Sequence, residues 1–300
     1  MAPLRVAQPR GIGAWLLAVR PATLTAAVVP VLVGSALAAR AGALHPGLAL
    51  AALLGALLIQ IGTNLTNDVA DFERGADTVA RLGPTRVTQS GLIPRAQVRV
   101  AAWLAFAGAA GLGLVLTAAG GWPIALLGAA AIASGWAYTA GPWPLGYHGL
   151  GDVFVFAFFG LAAVLGTVYL QTGSVSGLSF AAALPVGALV TAILVVNNAR
   201  DAATDRVACK RTLAVRFGVA AVRCEYAALL LLAFATPALL AFTGSGAAWV
   251  LLPLCTLPRG AQLARRMWRA NDGRTFNALL AQTARLHLLF GILLAAGLWA

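Results

Sequence analysis

The chain has 300 residues, of which 60% are hydrophobic and only 10% are charged. A soluble domain is about half apolar and about a quarter charged, so this composition excludes a soluble globular protein. The formal net charge of +12 would suggest nucleic-acid binding in a soluble protein, but in a membrane protein it is typical of basic residues retained on the cytoplasmic side. We therefore expect an all-α integral membrane protein with no nucleic-acid partner.

Apolar segments recur along the chain at the length of roughly 20 residues that crosses a bilayer. They predict a bundle of about nine transmembrane helices that forms one domain over residues 1–300. The predicted spans are residues 13–39, 46–66, 97–118, 122–140, 150–171, 179–199, 225–243, 246–264 and 281–299. Tight turns rich in glycine, proline or serine are predicted at 121–123, 141–144 and 244–246.

The basic residues predict the orientation of this bundle. If the spans alternate in direction, 20 of the 21 lysine and arginine residues fall on one side of the membrane and only Arg40 falls on the other. The crowded side is expected to be cytoplasmic, with the N-terminus inside and the C-terminus outside. Two long polar connections, 67–96 and 200–224, lie on that side, and long connections in a compact protein are usually functional.

Six of the nine acidic residues occupy two short motifs, NLTNDVADFERGAD (64–77) and NNARDAATD (197–205). Each motif follows the cytoplasmic end of a predicted span. In the first, Asn64, Asp68 and Asp71 recur at i, i+4 and i+7, which places them on one helix face.

In the second motif, Asn197, Asp201 and Asp205 recur at i, i+4 and i+8, again on one face. Like charges at this spacing repel, and carboxylates close to hydrocarbon are costly. A divalent cation removes both penalties, and carboxylate and amide oxygens are the ligands that Mg²⁺ prefers. A single aspartate here is equally well explained by an ion pair with a neighbouring arginine, but two such faces on one side favour a magnesium site.

Basic residues follow each acidic motif. Arg86 follows the first and Lys210 the second, and we expect both to bind phosphate oxygens. The alternative for each residue is that it serves membrane topology alone. Magnesium with these cations suits the ionisation of an allylic diphosphate, because positive charge stabilises the leaving group. Aromatic faces stabilise a nearby carbocation. The aromatic candidates, which are also suitable interfacial anchors, are Tyr138, Trp143, Tyr147, Phe158 and Tyr169.

Several blocks of this sequence resemble the UbiA superfamily of intramembrane aromatic prenyltransferases, and most closely its naphthoate-prenylating, menaquinone-forming branch. The similarity runs from about residue 15 to residue 220. The blocks that carry it are WLLAVRPATLTAAVVPVLVG (15–34), QIGTNLTNDVADFERGADT (60–78), GPTRVTQSGLI (83–93), YTAGPWPLGYHGLGDVFVFAFFG (138–160), GTVYLQTG (166–173) and NNARDAATDRVACKRTLAVRFG (197–218).

The resemblance implies a UbiA-type helix bundle in the bacterial cytoplasmic membrane, with a lateral opening to lipid for the polyprenyl tail. It implies a Mg²⁺-dependent transfer of a polyprenyl group from its diphosphate to 1,4-dihydroxy-2-naphthoate, with loss of CO₂. The implied metal and diphosphate groups are Asn67, Asp68, Asp71, Asp201 and Asp205. The expected substrate-binding residues are Asn64, Asn67, Arg86, Tyr138, Asn197, Asn198 and Lys210.

Some alternatives stay open from the sequence. Asp77 lies farther along than the third acid of 4-hydroxybenzoate relatives, so it is either a ligand or an acid–base group. Asp152 either approaches the acceptor or is a helix N-terminal acid favoured by the dipole. Another aromatic acceptor, such as homogentisate or 4-hydroxybenzoate, is possible within the superfamily. A transporter of ions or anions is the rival from a different class, since intramembrane carboxylates also mark ion pathways.

Overall fold

The computed structural model describes residues 11–77, 82–242 and 248–300. Arg81 and the predicted turn at 244–246 lie outside these residues. The described residues form helices joined by turns and contain no β-strand, which confirms the all-α prediction. The helices are α1 Ile12–Val19, α2 Thr25–Arg40, α3 Pro46–Glu73, α4 Arg95–Ala137, α5 Gly151–Val155, α6 Ala163–Thr172, α7 Gly177–Val207, α8 Leu213–Phe242, α9 Leu257–Arg269 and α10 Gly273–Trp299.

Several helices are broken or irregular. Residues Phe156–Ala162 form a π-helical segment that joins α5 to α6 without a gap. The axis bends by 49° between Ile12–Thr23 and α2. Gly121, with φ of +71°, interrupts α4, and Gly218, with φ of +84°, interrupts α8. Glycine adopts these dihedral angles without the steric penalty that a Cβ atom would bring.

Most predicted spans coincide with helices of the structure, but the number of spans differs. Six described helical segments are long and apolar enough to cross a membrane, or seven if the bent α1–α2 pair is one span. The predicted third and fourth spans both lie in α4, on either side of Gly121. The eighth begins outside the described residues and continues through a 3₁₀ helix, Ala248–Thr256, into α9, which is strongly polar on one face. The number nine therefore stays a prediction.

The centre of the bundle is α7, the most extensively buried of the long helices. It packs against α8 and α10, while α10 also packs along α2, and α3 pairs with α4. Small residues allow close contact: a Cβ atom built on Gly160 would lie 2.4 Å from Cα of Gly187 in α7. Such contacts between small residues are typical of helices packed in membranes, where no hydrophobic force drives helices together.

The second acidic motif and the first motif as far as Glu73 are helical, beyond the ends of the predicted spans. The second span was predicted to end at residue 66 and the sixth at 199, but α3 continues to Glu73 and α7 to Val207. The residues predicted to share a helix face in each motif therefore do lie in the last turns of two long helices, while Asp77 lies beyond the end of α3. A helix fixes the direction of each side chain, so both motifs project from rigid elements.

Candidate active site

A cavity of about 780 Å³ lies between α2, α3, α4, the α5–α6 segment and α7. One end is polar and is lined by three carboxylates and four cationic side chains. These are Asp71, Asp201 and Asp205 together with Arg20, Arg86, Arg200 and Lys210. The rest of the wall is apolar, with many alanine, glycine, leucine and phenylalanine side chains. Such a shape suits an amphiphilic ligand with an anionic head and a hydrocarbon tail.

The two acidic motifs meet at the polar end of this cavity. Lys210 contacts both of them, with its Nζ atom 3.2 Å from a carboxylate oxygen of Asp71 and 4.0 Å from one of Asp205. Lys210 follows Cys209, a residue with φ of +56°, which is a conformation that non-glycine residues rarely adopt. Backbone strain of this kind is concentrated at functional sites. The predicted convergence of the two motifs is thus present in the structure.

Asp71 contacts three side chains at the polar end of the cavity. Its carboxylate accepts hydrogen bonds from Tyr147 Oη at 2.9 Å and from Lys210 Nζ at 3.2 Å. Arg86 Nη2 lies 3.5 Å from it. Burial, and then the neighbouring Asp71, raise the pKa of Tyr147, so the phenol stays protonated and donates. Arg74 and Lys210 lie over the Tyr147 ring, 5.1 and 4.8 Å from its centroid, so two cations contact this ring.

Arg86 is a buried guanidinium beside two carboxylates. Its Nε atom is 3.1 Å from Asp77 Oδ2, so Asp77 is paired with Arg86 and does not line the cavity. Its Nη1 atom is buried and has no hydrogen-bond acceptor within the described part of the chain. A buried N–H donor without an acceptor costs free energy of desolvation, unless a ligand oxygen accepts its hydrogen bond. Arg86 therefore fits a phosphate oxygen in the cavity.

Asp68 has a different environment from Asp71, although both lie on the expected helix face. Its carboxylate accepts hydrogen bonds from the backbone N–H groups of Thr88 at 2.9 Å and Val87 at 3.3 Å. It is 1% exposed and is not among the residues that line the cavity. Asp68 thus fixes the segment that carries Arg86. Its predicted role as a metal ligand stays a prediction.

The asparagines of the first motif also connect the cavity wall to other elements. Asn64 donates to the carbonyl oxygen of Val19 and to Thr23 Oγ1, both at 2.9 Å, across the break between α1 and α2. Asn67 accepts a hydrogen bond of 2.5 Å from Thr139 Oγ1. Both asparagines line the cavity, as expected for substrate-binding groups.

All candidate residues of the second motif line the cavity. These are Asn197, Asn198, Asp201 and Asp205. Arg200, which sequence reasoning did not select, forms a two-pronged ion pair with Asp201, from Nε to Oδ1 at 2.7 Å and from Nη2 to Oδ2 at 2.6 Å. Its position inside the motif, directly before Asp201, was the only signal that could have identified it. Planar guanidinium groups match carboxylates in this geometry.

Tyr138 lies between the polar and apolar parts of the cavity. A Cβ atom on Gly151 would lie 2.8 Å from its hydroxyl oxygen, so glycine is needed for this close approach. Asp152 lies in the first turn of α5, and its Oδ1 atom is buried with no hydrogen-bond partner among the described residues.

The donor set suits Mg²⁺ that is shared with a substrate. Within the described residues, no three or more His, Cys, Asp or Glu side chains are grouped closely enough to enclose a metal alone. Carboxylate oxygens of Asp71, Asp201 and Asp205 instead face one polar chamber from two helices. Mg²⁺ is usually held by one or two carboxylates, water and substrate phosphates rather than by an all-protein cage, so these residues fit it.

Comparison with known proteins decides the family. The pattern of the UbiA prenyltransferase family matches residues 27–298. The chain belongs to the UbiA prenyltransferase family. This family is one of enzymes, which decides against the transporter. The fold agrees: a UbiA homologue from Archaeoglobus fulgidus, solved with DMAPP and Mg²⁺, aligns with 94% of this chain and 99% of its own at a TM-score of 0.67 and 15% identity. A UbiA homologue from Aeropyrum pernix aligns with 92% of this chain and 96% of its own, at a TM-score of 0.69 and 14% identity.

Relatives within the UbiA family are similar over nearly their whole length. The 1,4-dihydroxy-2-naphthoate octaprenyltransferase of Mycobacterium tuberculosis is 39% identical, with 95% of this chain and 96% of that protein aligned. The proteins of the same name from Escherichia coli and Bacillus subtilis are 35% and 33% identical, over 95% and 93% of this chain and 95% and 90% of theirs. The resemblance inferred from the motifs is thereby confirmed.

Proposed function

We propose that this protein transfers a polyprenyl group from polyprenyl diphosphate to 1,4-dihydroxy-2-naphthoate, releasing CO₂ and diphosphate and giving demethylmenaquinol, the reduced form of demethylmenaquinone. The observation that carries the proposal is the cavity, in which both acidic motifs adjoin a long apolar chamber. The naphthoate octaprenyltransferases that align over nearly the whole chain support the acceptor. Residues 1–300 act as a single domain in the bacterial cytoplasmic membrane, with the polar end of the cavity facing the cytoplasm.

The diphosphate binds at the polar end. Arg86 Nη1 and Lys210 Nζ donate to its oxygens. Asn67, Asp71, Asp201 and Asp205 would hold Mg²⁺, with Asp68 supporting them. When bound, Mg²⁺ neutralises the diphosphate and stabilises the charge that develops on it as the bond to the prenyl C1 atom breaks. The binding of substrate replaces the ion pairs that Lys210 now makes with Asp71 and Asp205. Charged groups in this buried chamber act strongly because water is excluded.

The allylic carbocation forms next to aromatic rings. Tyr138, Phe154 and Phe158 line the cavity, and the two phenylalanine rings stack with centroids 5.8 Å apart. Their faces stabilise positive charge without adding a nucleophile. The ring carbon that bears the carboxylate attacks C1 of the prenyl group, and the electron pair of the broken bond to CO₂ restores aromaticity. No proton acceptor is needed at that carbon, because CO₂ leaves in place of a proton.

The test is an assay of purified protein in lipid with geranylgeranyl diphosphate and either 1,4-dihydroxy-2-naphthoate or 4-hydroxybenzoate. We expect the naphthoate alone to yield a prenylated product, with one CO₂ per product. Chelation by EDTA should stop turnover and added Mg²⁺ restore it. Product from 4-hydroxybenzoate alone, or turnover that survives thorough chelation, would contradict the proposal.

A further inference from the structure

Asn277 connects both sides of the polar chamber from a helix that carries neither motif. It lies in the second turn of α10, where its Oδ1 atom accepts a hydrogen bond from Arg200 Nη1 at 2.8 Å. Its Nδ2 atom donates to the carbonyl oxygen of Leu82 at 2.8 Å. The oxygen of this amide therefore contacts the second motif, and its nitrogen contacts the segment that carries Arg86.

The first of these contacts leads to the second motif. Arg200 is 4% exposed, and it holds Asp201 through Nε and Nη2 and Asn197 through Nη2 at 2.7 Å. Asn277 accepts from the remaining Nη1 atom of the same guanidinium. A buried guanidinium with all its nitrogens engaged has a fixed orientation, and it fixes its partners in turn. Without Asn277, Nη1 would lose its acceptor and the group would be free to turn away from Asp201.

The second contact leads to the segment that carries Arg86. Leu82 lies four residues before Arg86, and it rests on the first turn of α10. A Cβ atom built on Gly273 would meet Cβ of Leu82 at 3.0 Å. Asp68 fixes the same stretch farther along, through Val87 and Thr88. Asn277 thus anchors the near end of the segment and Asp68 its far end.

We propose that Asn277 is a positioning residue for the diphosphate, which sets Asp201 through Arg200 and Arg86 through the carbonyl of Leu82. The identity of this ligand rests on the proposed function. An asparagine that only satisfied its own hydrogen bonds would stabilise the fold and leave ligand affinity unchanged. A positioning residue changes the affinity for diphosphate, because it holds two groups on opposite sides of the chamber in register.

The experiment measures Mg²⁺-dependent binding of inorganic diphosphate to the full chain in lipid nanodiscs by titration calorimetry, together with KM and kcat. Asn277→Ala should weaken diphosphate binding about tenfold, as expected for lost hydrogen bonds to a charged group. Asn277→Asp keeps the acceptor for Arg200 and loses the donor to Leu82, so it should weaken binding by a smaller factor, about threefold. In both variants KM for the prenyl diphosphate should rise more than kcat falls.

Gln282→Ala is the matched control. Gln282 lies on the same helix and accepts a hydrogen bond from Arg266 at 2.9 Å, but it does not line the cavity. This variant should bind diphosphate as the unchanged protein does. A double-mutant cycle with Arg200→Lys measures the coupling between the two residues in diphosphate binding, which a purely structural role of Asn277 would not produce. If Asn277 acts through Arg200, the losses in the double variant are smaller than additive.

The proposal is overturned if Asn277→Ala binds diphosphate as tightly as Gln282→Ala, or if its effect adds fully to that of Arg200→Lys. Should the alanine variant not give a monodisperse protein, the same cycle with Asn277→Asp decides. The proposed function fails separately: if the unchanged protein binds diphosphate with Mg²⁺ but does not prenylate 1,4-dihydroxy-2-naphthoate, the binding comparison still tests Asn277.

Discussion

At the scale of single residues, the polar chamber is an arrangement of alternating charges. Lys210 stands between Asp71 and Asp205, Arg86 between Asp71 and Asp77, and Arg200 beside Asp201. Buried carboxylates would repel each other without these cations. The same cations are the groups that an anionic substrate needs, so the carboxylates of the chamber are stabilised by residues that also bind the ligand.

Lys210 gives the first prediction at this scale. Lys210→Met keeps the length of the side chain and removes its charge, so KM for polyprenyl diphosphate should rise about tenfold or more, the usual size of one charge-assisted hydrogen bond. Steady-state kinetics at saturating acceptor measures it. Arg274→Met is the control, because Arg274 is exposed on α10 and does not line the cavity. An unchanged KM in Lys210→Met would show that this lysine serves topology alone.

The sequence identified most of these residues and missed others for physical reasons. The helical spacing of the acidic residues was enough to select Asp71 and Asp201, because acidic residues near hydrocarbon are rare and usually functional. Lys210 was selected by its charge and its place after the second motif. The spacing could not separate Asp68 from Asp71, since helix periodicity fixes a face but not the partner that each side chain meets. No sequence pattern indicated a role for Asn277, because the role of a lone asparagine in an apolar helix depends on its tertiary contacts alone.

At the scale of elements, the segment 82–94 acts as one wall of the chamber and is held in place by Asp68. Val87 and Ile93 are buried, and Val87 packs with Leu65 and Val69 of α3 in a small hydrophobic cluster. Two backbone N–H groups of this segment depend on the carboxylate of Asp68. Removing an acceptor from buried donors costs roughly 1–3 kcal/mol per group, enough to release the segment.

Asp68→Ala and Asp201→Ala should therefore both abolish prenyl transfer, but for different reasons. Limited trypsin digestion with mass detection distinguishes them. Cleavage after Arg86, which is 7% exposed, should accelerate in Asp68→Ala and stay slow in Asp201→Ala. Equal protection of Arg86 in both variants would contradict the anchoring role of Asp68, and near-normal turnover in both would contradict the site.

The second half of α4 forms a wall of the apolar chamber. Lining residues extend from Tyr138 to Ile124, a length of about 21 Å along the helix axis. Gly128 lies on this wall, and a Cβ atom there would meet nothing within 4 Å. Gly128→Phe should thus fold normally and narrow the chamber, so that turnover of long prenyl diphosphates falls about tenfold relative to geranyl diphosphate, a loss of about 1.4 kcal/mol.

The matched control is Gly111→Phe, on the same helix but on an exposed face that does not line the cavity. Competition between C10 and C40 diphosphates measures the selectivity. If Gly128→Phe and Gly111→Phe change it equally, the apolar chamber is not the site of the tail.

At the scale of the whole molecule, the turns of the bundle were easier to predict than its helices. Gly121 and Gly141 both have positive φ values, and both lie in predicted turns. Helix ends were predicted less well, because charged residues end an apolar run without ending the helix. In α3 and α7, tertiary contacts of the charged side chains stabilise the last turns, which hydropathy alone does not indicate.

The orientation proposed from the placement of the arginines is tested with the native cysteines. Cys209, Cys224 and Cys255 are exposed. With the other two changed to serine, Cys209 should react with a membrane-impermeant maleimide in inside-out vesicles only, if the polar end faces the cytoplasm as proposed. An Ala41→Cys chain without native cysteines should show the reverse. Labelling of Cys209 in right-side-out vesicles would invert the proposed topology.

The central claim is that two motifs on separate helices hold one metal and one diphosphate between them. Electron paramagnetic resonance with Mn²⁺ in place of Mg²⁺ tests it, in Asp71→Asn, Asp201→Asn and the control Asp272→Asn. Asp272 is an exposed N-cap whose hydrogen bonds from Thr275 lower its pKa, so this control loses a charge while asparagine keeps the cap.

We predict that diphosphate-dependent binding of Mn²⁺ falls about tenfold or more in each of the two cavity variants, as expected when one ligand of a shared site is lost, and is unchanged in Asp272→Asn. If either Asp71→Asn or Asp201→Asn binds Mn²⁺ and diphosphate as the unchanged protein does, the two motifs do not share one site.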